Sequence, residues 1–321
     1  MMRRSDIEVM APAGNFESLM AAIQGGADAV YFGVGKLNMR AKSSVNFLED
    51  DLYEIVRICS ASNVKTYLTV NTVLYDEDID DMHRLIDTAK KARVSAVIVS
   101  DQAAMEYARQ VGVEVHLSTQ LNISNTHSLR FYSQWADVVV LARELNLQQV
   151  KLISEGIHKH NINGPSGNKV RLELFVHGAL CMAISGKCYL SLHQKNYSAN
   201  QGECLQICRR SYTVTDNETG SQLEIDNEYI MSPKDLCTIS FLDQILDAGI
   251  RELKIEGRAR GPEYVKTVTS CYAEAVEAIV SGQYTPDKVE GWTKRLTSVF
   301  NRGFWDGYYL GRRLGEWSNS Y

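Results

Sequence analysis

The stretch RLELFVHGALCMAISGKC (171–188) runs from a buried-strand pattern straight into the first two of four clustered cysteines. Within it LELFV (172–176) is apolar at nearly every position, as a strand covered on both sides of a sheet should be. The residues after it decide how the chain is organised. Cys181, Cys188, Cys204 and Cys208 all fall between this strand and Arg210, and no helical pattern comes directly after it. Four clustered thiols can form two disulfides, bind one zinc ion or hold an iron-sulfur cluster.

Working outward, six similar apolar runs precede this one and one comes later. They are IEVMAPAG (7–14), AVYFGV (29–34), KTYLTVN (65–71), AVIVSD (96–101), EVHLST (114–119), DVVVLA (137–142) and, after the cysteines, ELKIEG (252–257). Amphipathic helical patterns alternate with them. In the first, Phe16, Leu19, Met20 and Ile23 recur at helical spacing, Asn15 is placed to cap, and Gly25 and Gly26 to terminate. Cys59 and Cys271 lie within such helices and read as packing residues.

Eight strands alternating with helices predict parallel strands with right-handed crossovers, and eight is the number that closes a barrel. A doubly wound open sheet is the competing architecture. It lacks support, because GGADAVYFGVG does not have the strand-turn-helix order of a dinucleotide fingerprint. The expected fold is therefore an α/β, (β/α)8 TIM-like barrel with a Cys-rich insertion and a β-hairpin after strand seven. The hairpin is SYTVTDNETGSQLEI, turning near Asn217 to Gly220. This division gives barrel strands one to seven over 1–178, the insertion and hairpin over 179–231, the rest of the barrel over 232–283, and a helical extension over 284–321.

Loops after the strands open onto the carboxyl face, where barrel enzymes keep their active sites. The strand ends carry Asn71, Asp101, Gln120, Arg143 with Glu144, His177, and Glu256 with Arg258. Asp101 alone could be a helix cap, and Arg143 with Glu144 a surface ion pair. Together they describe a polar pocket for a small acid or a nucleobase.

With 321 residues, 45% hydrophobic and 23% charged, the chain reads as a globular protein with a large core. Its start, MMRRSDIEVMAPAG, has no apolar leader run, and no stretch has the length of a membrane span. A cytoplasmic, non-membrane protein is expected, and a reducing compartment favours metal or redox chemistry over disulfides. The net charge of -5 argues against a coat for nucleic acid. Yet Lys187, Lys195, Arg209 and Arg210 stand against a lone Glu203 in 181–215, a basic segment that could face phosphates. The spacing Cys-x6-Cys-x15-Cys-x3-Cys lacks the Cys-x2-Cys knuckles of many zinc sites, and thiolate-only ligation also suits a 4Fe-4S cluster. Cys237, in SPKDLC, is an alternative fourth ligand to Cys208, or else packs on a covering helix.

FVHGALCMAISGKCYLS, NQGECLQICRRSY, YIMSPKDL and ELKIEGRARGPEYV together resemble the signatures of the collagenase-like "peptidase U32" family. APAG, GADAVYFG, STQLNISN and LARELNL extend the resemblance over nearly the whole chain. Within that family the sequence is most similar to the prephenate-dependent tRNA uridine hydroxylase branch. That resemblance implies oxygen-independent hydroxylation of the wobble uridine to 5-hydroxyuridine, with prephenate as co-substrate. It also implies a 4Fe-4S cluster on Cys181, Cys188, Cys204 and Cys208, supplied by iron-sulfur loading machinery. The compact position of Cys208 differs from the quinone-hydroxylating relatives and points to an RNA substrate, the tRNA anticodon loop. Longer members continue into a small β-rich carboxyl-terminal domain that this sequence is expected to lack.

On this reading His177 and Glu256 are expected to move protons, while Arg143, Lys254, Arg258, Gln120 and Asn71 bind substrates. Lys195, Arg209 and Arg210 are expected to hold RNA phosphates. Three alternatives stand beside it: a ribosomal RNA cytidine hydroxylase of the same family, a collagenase-like peptidase, and a zinc-stabilised RNA-binding scaffold. A thiol peptidase would need a histidine base beside its thiolate. No His-Glu-x-x-His motif or serine nucleophile elbow occurs.

Overall fold

The computed structural model describes residues 2–42, 46–220, 229–311 and 315–318. The first seven strands are β1 (Glu8–Pro12), β2 (Ala29–Gly33), β3 (Lys65–Val70), β4 (Ala96–Val99), β5 (Val115–Leu117), β6 (Val138–Val140) and β7 (Arg171–Gly178). The last three are β8 (Asp235–Cys237), β9 (Glu252–Ile255) and β10 (Phe304–Trp305). β1 to β7 pair in parallel, each with the next. β9 then pairs in parallel with both β7 and β1, closing an eight-strand barrel. The eight barrel strands are the eight apolar runs of the sequence. β8 adds antiparallel to the upper end of β7, and β10 lies parallel beside β8.

Six helices fill the crossovers between the first seven strands: α1 (Phe16–Gln24), α2 (Asp51–Ala61), α3 (Ile79–Ala92), α4 (Gln102–Val111), α5 (Thr126–Tyr132) and α6 (Leu147–Lys159). Asn15 caps α1 by accepting from the Ser18 amide at 2.8 Å, and Gly25 ends it. Met20 faces solvent, so the buried stripe of that helix is Leu19 with Ala21 and Ala22. Asp101 caps α4 through the Ala103 amide and also holds the Leu74 amide, which makes it a structural carboxylate. Cys59 and Cys271 are buried among helix contacts, as expected.

The remaining helices are α7 (Leu190–Lys195), α8 (Leu242–Asp247), α9 (Pro262–Val280) and α10 (Pro286–Thr297). α7 belongs to the cysteine insertion, whereas α8 and α9 cover the barrel wall. The segment after 284 is only partly helical. It forms α10, then β10, then sends the Tyr309 hydroxyl to the Phe175 carbonyl at 2.8 Å. Where the hairpin is expected to turn, the Gly220 amide donates to the Asp216 carbonyl. The hairpin's second arm, SQLEI (221–225), lies outside the described residues.

One apolar core lies between barrel and helices, and a smaller one fills the lumen with Met10, Ala29, Tyr31, Tyr67, Ala96 and Ile98. Below that layer the strand register aligns Glu8, Glu252 and Glu173 on β1, β9 and β7. Lys65, Tyr67 and Arg171 bond this row, so the lower lumen is closed by a charged network rather than by aliphatic layers. Burial and the crowding of like charges raise the Glu252 carboxyl well above its ordinary range.

Candidate active site

The cysteine insertion lies across the carboxyl face of the barrel. Gly202, in the left-handed region at φ 81°, packs directly on the Asn38 carbonyl, and its own carbonyl accepts from the Lys42 amide. The Val73 amide donates to the Asn200 carbonyl at 3.0 Å, and the Thr119 and Ser185 hydroxyls meet at 3.3 Å. The insertion is thereby stitched to the loops after β2, β3 and β5. It roofs a cavity of about 220 Å³ whose floor is the barrel mouth.

Cys181, Cys188, Cys204 and Cys208 all line this cavity, and none is in a disulfide. Burial, opposed in part by Arg209 and reinforced by the other three thiols, pushes Cys208 up to about 11. Metal binding would reverse that by taking the thiolate directly. The donor set is thiolate only and faces one shared space, which fits a 4Fe-4S cluster in its chemistry. Among the described residues, no three His, Cys, Asp or Glu side chains stand close enough to hold a single metal ion. Cys237 lies outside the cavity lining, on β8 opposite His177, rather than on a covering helix.

The polar groups of the floor divide by where their strands end. Lys254 projects from β9 into the lumen, where Glu173 holds its Nζ at 2.7 Å beside the Tyr31 and Phe175 rings. Arg143 lies over Phe175 at 3.9 Å and donates from Nη1 to the Ala179 carbonyl, while its buried Nε has no hydrogen-bond partner. Asn71 accepts from the Met39 amide and donates to Ser118 Oγ, whose hydroxyl donates to Gln120. Lys254, Arg143, Asn71 and Gln120 line the cavity.

Glu256 lines it too, but bound to a residue that the reading of strand ends missed. Arg40 Nη2 lies 2.7 Å from Glu256 Oε1. Burial would raise this carboxyl, but Arg40, Arg143 and Arg258 outweigh it and hold it down at about 2. Arg40 sits in the irregular loop after β2, where neither periodicity nor a motif marks it. Its signal is only that it comes after a strand on the working face.

Two expected site residues, His177 and Arg258, lie outside the cavity lining, and Arg209, although part of that lining, is turned inward. His177 is turned out of the lumen. A bulge at Val176 aligns Phe175 with Lys254 but His177 with Ile255, shifting the alternation by one residue. His177 is consequently buried among Tyr264, Tyr272 and Phe304, with Nδ1 3.3 Å from the Tyr272 hydroxyl. Burial drives its pKa down to about 3, so it remains a neutral packing residue. Arg258 is buried below the cavity, donating to Thr69 Oγ1 at 3.0 Å, and desolvation lowers it to about 10. Arg209 also points inward, bonded to Ser232 Oγ and to the Pro233 and Leu180 carbonyls. It braces the insertion instead of facing solvent. Lys195 and Arg210 are exposed, as a phosphate-facing role requires.

No histidine lines the cavity among the described residues, so no imidazole stands there beside a thiol. Among the described helices, none is long and apolar enough to cross a membrane.

The sequence model of peptidase family U32 matches residues 14–319. A protein named collagenase from Porphyromonas gingivalis is 63% identical over 320 residues, covering 100% of this chain and 77% of that one. tRNA hydroxylation protein P1 of Bacillus subtilis is 34% identical over 311 residues, covering 95% of this chain and 71% of that protein. The 23S rRNA 5-hydroxycytidine synthase of Escherichia coli is 33% identical over 317 residues, covering 97% of this chain and 46% of its own length. Closed barrel, thiol-lined cavity and a match over nearly the whole sequence agree: the chain belongs to peptidase family U32.

Proposed function

We propose that this chain is an RNA-modifying enzyme that hydroxylates carbon five of a pyrimidine, the wobble uridine of tRNA, with prephenate as co-substrate. The observation that carries the reading is the cavity itself, where four free cysteines face a floor of Arg40, Arg143 and Lys254. Two relatives whose names denote RNA hydroxylation support it.

Cys181, Cys188, Cys204 and Cys208 would hold a 4Fe-4S cluster, which supplies redox and Lewis-acid chemistry when bound. The rest of the cavity binds and orients. Prephenate carries two carboxylates, and the planar fork of Arg143 suits one of them, with its Nε still to be satisfied. Lys254, fixed by Glu173, is a second cation near the floor. Glu256 keeps Arg40 in place and, at about 2, remains an anion throughout the neutral range. Asn71 and Gln120 offer amides to a base edge. Gln120 spends its carbonyl oxygen on Ser118, which leaves the amide nitrogen to donate.

The peptidase name of the 63% relative keeps proteolysis as the second reading. The absence of a cavity imidazole among the described residues weighs against a thiol mechanism. The deciding experiment is anaerobic preparation of the wild type and Cys188→Ser, then iron, zinc and acid-labile sulfide analysis and a tRNA hydroxylation assay with prephenate. Joint loss of iron, sulfide and hydroxylation in the variant is expected. Stoichiometric zinc without sulfide in the wild type would overturn the cluster assignment.

A further inference from the structure

Beside the cavity, where the chain after α10 returns along β8, three guanidinium groups gather round the carboxylate of Asp235. Arg209, Arg260 and Arg302 each act on its charge, and Arg302 Nη1 lies 3.5 Å from Asp235 Oδ1. Arg209 is satisfied by a hydroxyl and two carbonyls. Arg302 is not. It is buried, and its Nε and Nη1 have no hydrogen-bond acceptor. Arg260 is half-buried, lies over the Phe300 ring at 3.6 Å, and shares that ring with Arg302 at 5.0 Å. Phe300 itself is 42% exposed, so the pair is stacked on a platform that reaches the surface.

A buried guanidinium with two nitrogens short of a hydrogen bond and only a long ion pair to Asp235 is costly, and so is gathering three cations on one buried carboxylate. An incoming anion relieves both. We propose that Arg260 and Arg302, stacked on Phe300, form a phosphate-binding subsite next to the cavity. Arginine forks fit phosphate oxygens two at a time, which a pair of lysines would not do. Arg260 also lines the thiol cavity, so a phosphate held here lies beside the space that would receive a base. The favoured source is a phosphodiester of the RNA substrate, and that assignment rests on the reading above. Free phosphate is the other source of the same chemistry.

Both are tested with the full chain. A fluorescent anticodon stem-loop is titrated over a series of salt concentrations against wild type, Arg260→Gln and Arg302→Gln, with inorganic phosphate titrated separately by phosphorus NMR. Arg260→Gln is expected to weaken RNA binding about tenfold and to lower the salt slope by about one. Because Arg302 is buried, melting curves accompany its variant, and the half-buried Arg260 decides the matter if Arg302→Gln unfolds. If RNA binding is unchanged but phosphate binding is lost in Arg260→Gln, the subsite stands with free phosphate as its ligand. If the wild type binds no RNA, the RNA reading fails, while the phosphate titration still decides the subsite. Unchanged affinity for both probes would overturn it.

Discussion

Glu256 and His177 occupy neighbouring strands near the same end of the barrel, yet burial acts on them with opposite results. Glu256 has guanidinium partners and stays ionised at about 2, whereas His177 has none and stays neutral down to about 3. For His177 the unfolded chain takes up a proton as pH falls below about 6.5, while the folded chain refuses it until about 3. Stability is therefore lost with falling pH over that window, by on the order of 5 kcal/mol in full. For Glu256 the depressed folded value adds stability above its unfolded value near 4.5, and this is lost as pH falls towards 2. The acid limb of a stability curve should thus begin near 6.5 and steepen below 4.5. His177→Phe should flatten the upper part and leave turnover near wild type, as urea unfolding at several pH values and a hydroxylation assay will check. Loss of turnover in a folded His177→Phe would return that residue to the chemistry. Arg143→Lys keeps the charge but loses the fork, so KM for prephenate should rise about tenfold with kcat little changed. A fall in kcat alone would mean that Arg143 does not bind the co-substrate. Residue types were legible at this scale, and facing directions were not. Phe175 and His177 are two apart and should share a face, but one bulged residue, Val176, separates them.

Among the elements, the cysteine insertion depends on contacts that have no sequence period. Gly202 meets the Asn38 carbonyl at a left-handed backbone angle that favours glycine, and Asn38 lies in the loop that carries Arg40. Gly202→Ala should pull the insertion from that loop, lowering stability by roughly 1–3 kcal/mol. Iron content should fall with it, whereas the barrel's far-ultraviolet circular dichroism should persist. Thermal melting and iron analysis of the variant check this, and an unchanged iron content would show that the loops after β2 and β7 are independent. The insertion was legible from the long gap between two strand patterns and from the cysteines within it. Its docking was not, because Arg40 and Gly202 owe their roles to tertiary contact alone. The same holds for β8 and β10, too short to show alternation and paired only through the end of β7.

For the whole molecule, the apolar runs were sufficient to read a closed barrel, since strands covered on both faces cannot alternate. Closure is visible in β9 pairing with both β7 and β1. The polar lower lumen was hidden for the complementary reason. Glu8, Glu173 and Glu252 sit one per strand inside apolar runs, and only the register brings them together. Loops from β2, β3, β5 and β7 then build one thiol-lined cavity on the carboxyl face, and hydroxylation of RNA in that cavity can be looked for in the cell itself. Nucleosides from tRNA and ribosomal RNA of the source cell are measured by mass spectrometry. The cells compared carry the wild-type gene, a deletion, or the Cys188→Ser allele. 5-Hydroxyuridine and its derivatives should disappear from tRNA in both altered strains, with ribosomal RNA unchanged. Unaltered nucleosides in both RNAs, in a strain with no second route to the modification, would contradict the proposed activity.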